Sequence, residues 1–262
     1  MNILVSNDDG IYAEGLWVLA EQLKEIGKVT VVAPDRDQSG VGTSVTLRLP
    51  LRISHVRSPV SSVEAHTVEG TPADSVIMAL KLAMKEDVDL IVTGINEGPN
   101  LGDDVFISGT VGAALQGYFY GIPAIAVSVG GFEDVNFNVA ARLARMLADE
   151  IKGRNQSRRL LLNVNVPNLP EDKIDGLDVT RLARRNYSDN IEPGHDGKRN
   201  YYWITRGKSD WYPEPGTDAW ALKRNRISIT SLPNDSDGAS YRFISERASG
   251  LFQRLLVECL TK

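Results

Sequence analysis

Soft-metal and disulfide chemistry are nearly ruled out by what the sequence lacks. Among 262 residues there is one cysteine, Cys259, and there are three histidines, His55, His66 and His195. A lone cysteine excludes an intrachain disulfide and a thiolate metal cluster. The histidines are scattered, with His195 in a turn-forming stretch, so none is read as a ligand. No apolar run approaches the ~18 residues of a membrane span, and the N-terminus lacks the basic-then-apolar pattern of a secretion signal. The expectation is a cytoplasmic protein with no membrane partner. No basic block stands out against the net charge of −5. That argues against a nucleic acid polymer as partner, but not against a small phosphate ligand. Gly-Lys-Ser/Thr is absent, which excludes a P-loop, and Asp8-Asp9-Gly10-Ile11-Tyr12 stands where a dinucleotide site would need Gly-x-Gly-x-x-Gly.

What is present is an alternation of short β-branched runs with helical periodicity. Strands are expected at 1–6, 29–33, 89–93, 123–129 and 160–166, and helices at 14–26, 73–84, 109–120 and 137–151. The stretches 44–49 and 51–55 read as extended. Strands that are apolar throughout and separated by helices indicate a parallel sheet covered on both faces. The fold class expected is α/β, a Rossmann-like, doubly wound, mostly parallel sheet. After Pro170 the texture changes: 178–189 and 201–205 read as extended around the turn-forming residues 192–197, then a strand at 226–232 and a closing helix at 244–260. Aromatics gather here, namely Tyr187, Tyr201, Tyr202, Trp203, Trp211, Tyr212 and Trp220. The division expected is a Rossmann-like catalytic core at 1–170 and a hairpin and C-terminal segment at 171–262, packed on the core and used in oligomerisation.

In an open α/β sheet the ligand site lies outside the carboxyl ends of the strands. There this sequence places Asn7, Asp8 and Asp9 after the first strand, and Asp35, Arg36, Asp37, Gln38, Ser39 and Gly40 after the second. Asn96 and Asn100 follow the strand at 89–93, and Ser108-Gly109-Thr110 opens a helix. Neighbouring residues of a strand point to opposite faces, so Asp8 and Asp9 converge only if the chain turns, which Gly10 permits. Their plainer reading is a surface turn with a helix cap. Likewise Ser108-Gly109-Thr110 is either a cap alone or an anion cradle at a helix N-terminus, and the asparagines are either loop residues or ligands. Taken together, oxygen donors without thiolate or imidazole suit Mg²⁺ or Mn²⁺. A hard cation beside a phosphate cradle is the layout for metal-assisted phosphoryl hydrolysis. A phosphoaspartyl enzyme would need Asp-x-Asp-Gly here, but Asn7 occupies the nucleophile position, and an amide cannot attack phosphorus. A receiver domain would need a later acceptor Asp and Lys in a shorter chain.

Seven blocks then resemble one family in order: Ile3-Leu4-Val5-Ser6-Asn7-Asp8-Asp9-Gly10, Ala33-Pro34-Asp35-Arg36-Asp37-Gln38-Ser39-Gly40, Gly70-Thr71-Pro72-Ala73-Asp74, Gly94-Ile95-Asn96-Glu97-Gly98-Pro99-Asn100-Leu101-Gly102, Ser108-Gly109-Thr110-Val111-Gly112-Ala113-Ala114, Asn163-Val164-Asn165-Val166-Pro167, and Gly216-Thr217-Asp218 with Ile227-Ser228-Ile229-Thr230. The sequence resembles the stationary-phase survival protein SurE family of metal-dependent nucleotide phosphatases. The resemblance implies one divalent ion per subunit, held by Asp8, Asp9, Ser39 and Asn96. It implies phosphate and substrate binding by Gly40, Asn100, Ser108, Gly109 and Thr110. It further implies hydrolysis of nucleoside 5′- and often 3′-monophosphates, with short polyphosphate as a further substrate, and a homodimer or homotetramer. Attack by metal-activated water assisted by Asp8 or Asp9 is the mechanism expected, although Asp9 as a ligand would be a poor base. The position before Ser108 departs from the family, with Ile107 where Tyr is usual, and 42–44 departs as well. The rival expectation is a nucleotide-binding protein that keeps fold and metal without turnover.

Overall fold

Ile3, Leu4 and Val5 have no solvent exposure, and a strand apolar on both sides forms stably only if both faces of its sheet are covered. The computed structural model describes residues 1–152, 159–186, 189–206, 210–232 and 239–260. Along the chain come β1 (Asn2–Ser6), α1 (Glu14–Leu23), β2 (Lys28–Pro34), β3 (Ile53–His55), β4 (Glu64–Val68), α2 (Pro72–Met78), β5 (Leu90–Glu97), α3 (Gly109–Phe119), β6 (Ala124–Gly130), α4 (Asn138–Lys152) and β7 (Leu161–Pro167). There follow β8 (Gly176–Thr180), β9 (Arg184–Asn186), β10 (Asp189–His195), β11 (Asn200–Arg206), β12 (Asp210–Tyr212), α5 (Asp218–Lys223), β13 (Arg226–Ser231), α6 (Ala239–Ser245) and α7 (Ala248–Leu260).

A nine-stranded sheet runs β3-β4-β2-β1-β5-β6-β7-β13-β8. Its parallel block, β4-β2-β1-β5-β6-β7, winds outward from β1 in both directions, so the fold is the expected doubly wound, Rossmann-like sheet. The alternation of strand side chains is visible in β1. Ile3 and Val5 pack with Leu16, Leu19, Leu143 and Leu147 of α1 and α4, whereas Leu4 packs with Val76, Val111, Ala113 and Ala114 of α2 and α3. Because the winding reverses between β1 and β5, a crevice is expected outside their carboxyl ends. That is where the acidic pair and Asn96 emerge.

Beyond β7 the chain continues the same sheet, β13 antiparallel to β7 and β8 parallel to β13. The closing helix is divided into α6 and α7, and α7 buries Leu251 and Leu255 in the core beside α4. The hairpin forms its own two-stranded ribbon of β10 and β11. On it Tyr202, Trp203 and Ile204 are exposed.

Several expectations shift. The run 44–49 is not a strand: Thr46 donates from its N–H and hydroxyl to Asp74, and Thr71 donates to the Ser44 carbonyl, so side chains rather than a ladder hold it. β4 was not expected, because Glu64, His66 and Thr67 interrupt its apolar pattern near the sheet edge. The second helix gives way to a π-helical turn at Ala79–Ala83. The stretch 178–189 is two strands, β8 and β9, with 187–188 and hence Tyr187 outside the described residues. The hairpin turn lies at 196–199, where Asp196 accepts from the N–H groups of Lys198 and Arg199 at 2.8 and 2.7 Å. Pro193 and Gly194 sit inside β10, which a free-edged ribbon tolerates.

Candidate active site

At the end of β1 the chain leaves strand geometry through an Asn7 turn. Asn7 Nδ2 donates to the Gly10 carbonyl at 3.0 Å, and the Gly10 N–H donates to Asn7 Oδ1 at 3.2 Å. Gly10 has φ +94° and lies against the backbone of Arg36, which a Cβ would meet at 2.9 Å. Only glycine fits both constraints. The loop after β2 is thereby pressed onto the loop after β1, and the Gln38 N–H donates to the Asp8 carbonyl at 2.8 Å.

Asp8 is 4 % exposed and its carboxylate lies at the first turn of α3. The Thr110 hydroxyl donates to Asp8 Oδ1, and the Thr110 backbone N–H supports the same carboxylate. The Thr110 carbonyl in turn accepts from Thr93 Oγ1 of β5 at 2.8 Å. Ser108 is the N-cap, its oxygen accepting from the Val111 N–H at 3.2 Å. The structure thus brings Asp8, Gly109 and Thr110 into contact, and part of the expected phosphate cradle is engaged by the protein's own carboxylate. Ile107, at the departing position, contributes its carbonyl, which accepts from the Gly42 N–H at 3.0 Å.

Burial pushes the Asp8 carboxyl up, with the Thr110 bonds opposing. Asp9 is pushed up to about 7, first by burial and then by the charges of Asp8, Asp37 and Glu97. Asp9 Oδ2 is buried without a hydrogen-bond partner. A buried carboxylate oxygen with no donor, facing further carboxylates, is unfavourable by itself and suits a hard cation. Among the described residues no three His, Cys, Asp or Glu side chains form a metal cluster, so hydroxyl and amide oxygens must complete such a set.

Asn96 and Ser39 are the expected ones. The register of β5 against β6 shifts between Thr93 and Asn96, an irregularity that re-aims the strand end. Asn96 Nδ2 donates to the carbonyls of Glu97 and Gly98 at 3.0 and 2.7 Å, bonds that do not use Oδ1. Ser39 is exposed, and its N–H and hydroxyl both donate to Asp37 Oδ1, at 2.7 and 2.6 Å. Gly40 is exposed beside it. Asn100 is more interior than a loop ligand. Its Nδ2 donates to Ser128 Oγ at 2.9 Å, its N–H to Asn165 Oδ1 at 2.8 Å, and its carbonyl accepts from Asn163 and Asn165. It anchors the loop between β5 and α3.

Further anchors of that loop had little sequence signal, because most of them join distant segments. Asp218 accepts from the Gly102 N–H at 2.7 Å, Arg185 of β9 pairs with Asp104, and the Arg185 N–H donates to Asp103 at 3.2 Å. The Asp104 carbonyl then accepts from the Ser108 N–H at 3.0 Å. Only the local Gly-Thr-Asp string hinted at Asp218.

One substitution isolates the packing of α3 on the acidic pair. A Cβ at Gly109 would lie 2.7 Å from Asp8 Cβ and 2.9 Å from Asp8 Oδ2. Gly109→Ala is expected to displace Asp8 and cut activity by roughly tenfold or more. Alanine favours a helix by up to about 1 kcal/mol, so the melting temperature should fall much less than the activity. Equal loss of both, read by melting and phosphate release, would reject this account.

Fold and site together define a Rossmann-like α/β protein with an oxygen-rich cluster of side chains at its switch point, beside a helix N-terminus. Residues 3–189 match the family Survival protein SurE, and the chain belongs to that family. It is 50% identical over 234 residues to the 5′-nucleotidase SurE of Dehalococcoides mccartyi, covering 88% of each chain. With the 5′-nucleotidase SurE of Geobacter sulfurreducens it shares 44% identity over 237 residues, covering 90% of this chain and 88% of that one. The crystal structure of the SurE protein from Aquifex aeolicus superposes with a TM-score of 0.74 at 37% identity, covering 94% of this chain and 98% of that one.

Proposed function

We propose that this protein is a divalent-metal-dependent phosphatase that hydrolyses nucleoside 5′-monophosphates, and 3′-monophosphates as well, to nucleoside and phosphate. The observation that carries it is the acidic pair at the β1–β5 switch point, Asp8 buried and Asp9 half-buried with its Oδ2 buried and lacking a donor. The names of the relatives supply the substrate class. Asp8, Asp9, Ser39 Oγ and Asn96 Oδ1 would hold one Mg²⁺ or Mn²⁺ per subunit. When bound, such an ion polarises a phosphoryl oxygen and lowers the pKa of water.

The protein's own part is placement and charge. Thr110 and Gly109 hold Asp8 in one position, and the Thr93 bond ties that turn to β5. Ser108 spends a lone pair on its cap and has its hydroxyl hydrogen to give to a phosphoryl oxygen. Gly40, without a side chain at the rim, lets a phosphate approach the loop after β2. In the reaction the P–O bond to the nucleoside oxygen breaks, a P–O bond to the oxygen of water forms, and the proton that this water gives up goes to the leaving nucleoside oxygen. Asn100 supports this from behind by fixing the loop that carries Asn96 toward Ser108.

The test is phosphate release from a panel of nucleoside monophosphates and short polyphosphate, after chelation and again with Mg²⁺ or Mn²⁺ restored. Turnover that vanishes with chelator and returns with the cation is expected. No turnover of any nucleotide with either metal would leave the binding-protein reading. We also infer a homodimer or homotetramer joined through the hairpin, because Tyr202, Trp203 and Ile204 expose apolar surface there. A monomeric mass by light scattering would reject it.

A further inference from the structure

Past the end of β6, residues 131–136 form a loop beside the carboxyl end of β5. Asn168, just after β7, braces it. Its Nδ2 donates to the carbonyls of Glu133 and Asp134 at 3.2 and 3.3 Å, and its Oδ1 accepts from the Asn136 N–H at 3.0 Å. Gly131 sits so close to this side chain that a Cβ there would lie 2.7 Å from Asn168 Nδ2.

The braced loop sets the ring of Phe132 directly over Gly98. A Cβ on Gly98 would lie 2.2 Å from Phe132 Cε1, so the ring touches backbone that only glycine leaves open. The Gly98 carbonyl accepts from Asn96 Nδ2 at 2.7 Å. One hydrogen bond therefore separates the support of this ring from the amide assigned to the cation. Phe132 is nevertheless 76 % exposed, so it adds little to the core. An exposed phenyl ring costs hydration free energy, yet here three bonds from one asparagine steady the loop that displays it. The placement resembles the stacking platforms of nucleic-acid-binding proteins, where an aromatic face receives a base irrespective of its identity.

We propose that Phe132 is the surface on which the substrate's nucleobase stacks, making it a specificity-determining residue for nucleotides over simple phosphate esters. This rests on the nucleotidase reading above. Stacking recognises a π face rather than a hydrogen-bonding edge, so purine and pyrimidine nucleotides should both profit, the larger purines more.

The experiment compares wild type, Phe132→Ala and Phe132→Tyr on a nucleoside 5′-monophosphate and on ribose 5-phosphate, which lacks the base. Phe132→Ala should lower kcat/KM for the nucleotide by roughly 5- to 100-fold, mainly through KM. It should leave ribose 5-phosphate within about twofold, and Phe132→Tyr should restore the nucleotide value. Equal losses on both substrates, or no loss on the nucleotide, would overturn stacking while the nucleotidase reading stands. A wild type that hydrolyses ribose 5-phosphate but no nucleotide would overturn both.

Discussion

Asp9→Asn is expected to abolish phosphate release while raising the melting temperature of the chelated protein at pH 8. The activity loss should exceed roughly 100-fold, because outer partners of a metal site already cost 10- to 100-fold when removed. The stability gain follows from the carboxyl's position. Burial and the charges of Asp8, Asp37 and Glu97 raise it from 3.8 to about 7. The metal-free folded state therefore binds this proton more tightly than the unfolded chain does. Stability from the protonated form is intact below about pH 4 and is lost as pH rises through about 7, by up to about 1.4 kcal/mol per pH unit in that window. Asparagine is neutral throughout, so its melting temperature should vary less between pH 5 and pH 8 than that of the wild type. Added Mg²⁺ or Mn²⁺ should raise the wild-type melting temperature at pH 8 and do little for the variant. Parallel pH profiles for the two proteins would reject this account. The same charge crowding that destabilises the ionised pair would favour the cation proposed to bind there.

Asp218→Ala should be the most damaging single change away from the acidic pair. Asp218 is fully buried, and burial pushes its carboxyl up. It accepts from the N–H groups of Gly102, Ala183 and Ala219 at 2.7, 2.8 and 2.8 Å. Each buried N–H left without an acceptor costs about 1–3 kcal/mol. Allowing for partial relaxation, the variant should lose about 3–5 kcal/mol in a urea melt. Asp218→Asn should fall between, since its oxygen can still serve Ala183 and Ala219 but its amide would face the Gly102 N–H. Loss of the Gly102 bond also frees the loop that runs from Asn100 to Ser108, so KM should rise in both variants. A loss below about 1 kcal/mol for Asp218→Ala would show that the network is dispensable.

Much of this molecule was legible in the order of its residues. The β-branched runs of β1, β2, β5, β6 and β7 have one stable use, as buried parallel strands, and the periodic segments between them have one use as their cover. That places Asp8, Asp9, Ser39, Asn96 and Ser108 at the same edge of a sheet. β4 was not legible, because a polar strand near a sheet edge carries no apolar signature. The hairpin turn was displaced for a similar reason: Pro193 and Gly194 are turn formers by habit, but a two-stranded ribbon accepts them.

By itself, the sequence determined the donor chemistry, with oxygen ligands, almost no soft donors, and an acidic pair that Gly10 allows to turn off the strand. The tertiary structure alone decided how those donors are used. The Thr110 hydroxyl meets Asp8 across 102 positions, and Asp218 meets Gly102 across 116. Pairings at that separation follow from strand order and helix packing, which local propensity does not encode. Only once β1 and β5 lie side by side does Asp8 lie against the first turn of α3 while Asp9 keeps a buried oxygen without a donor.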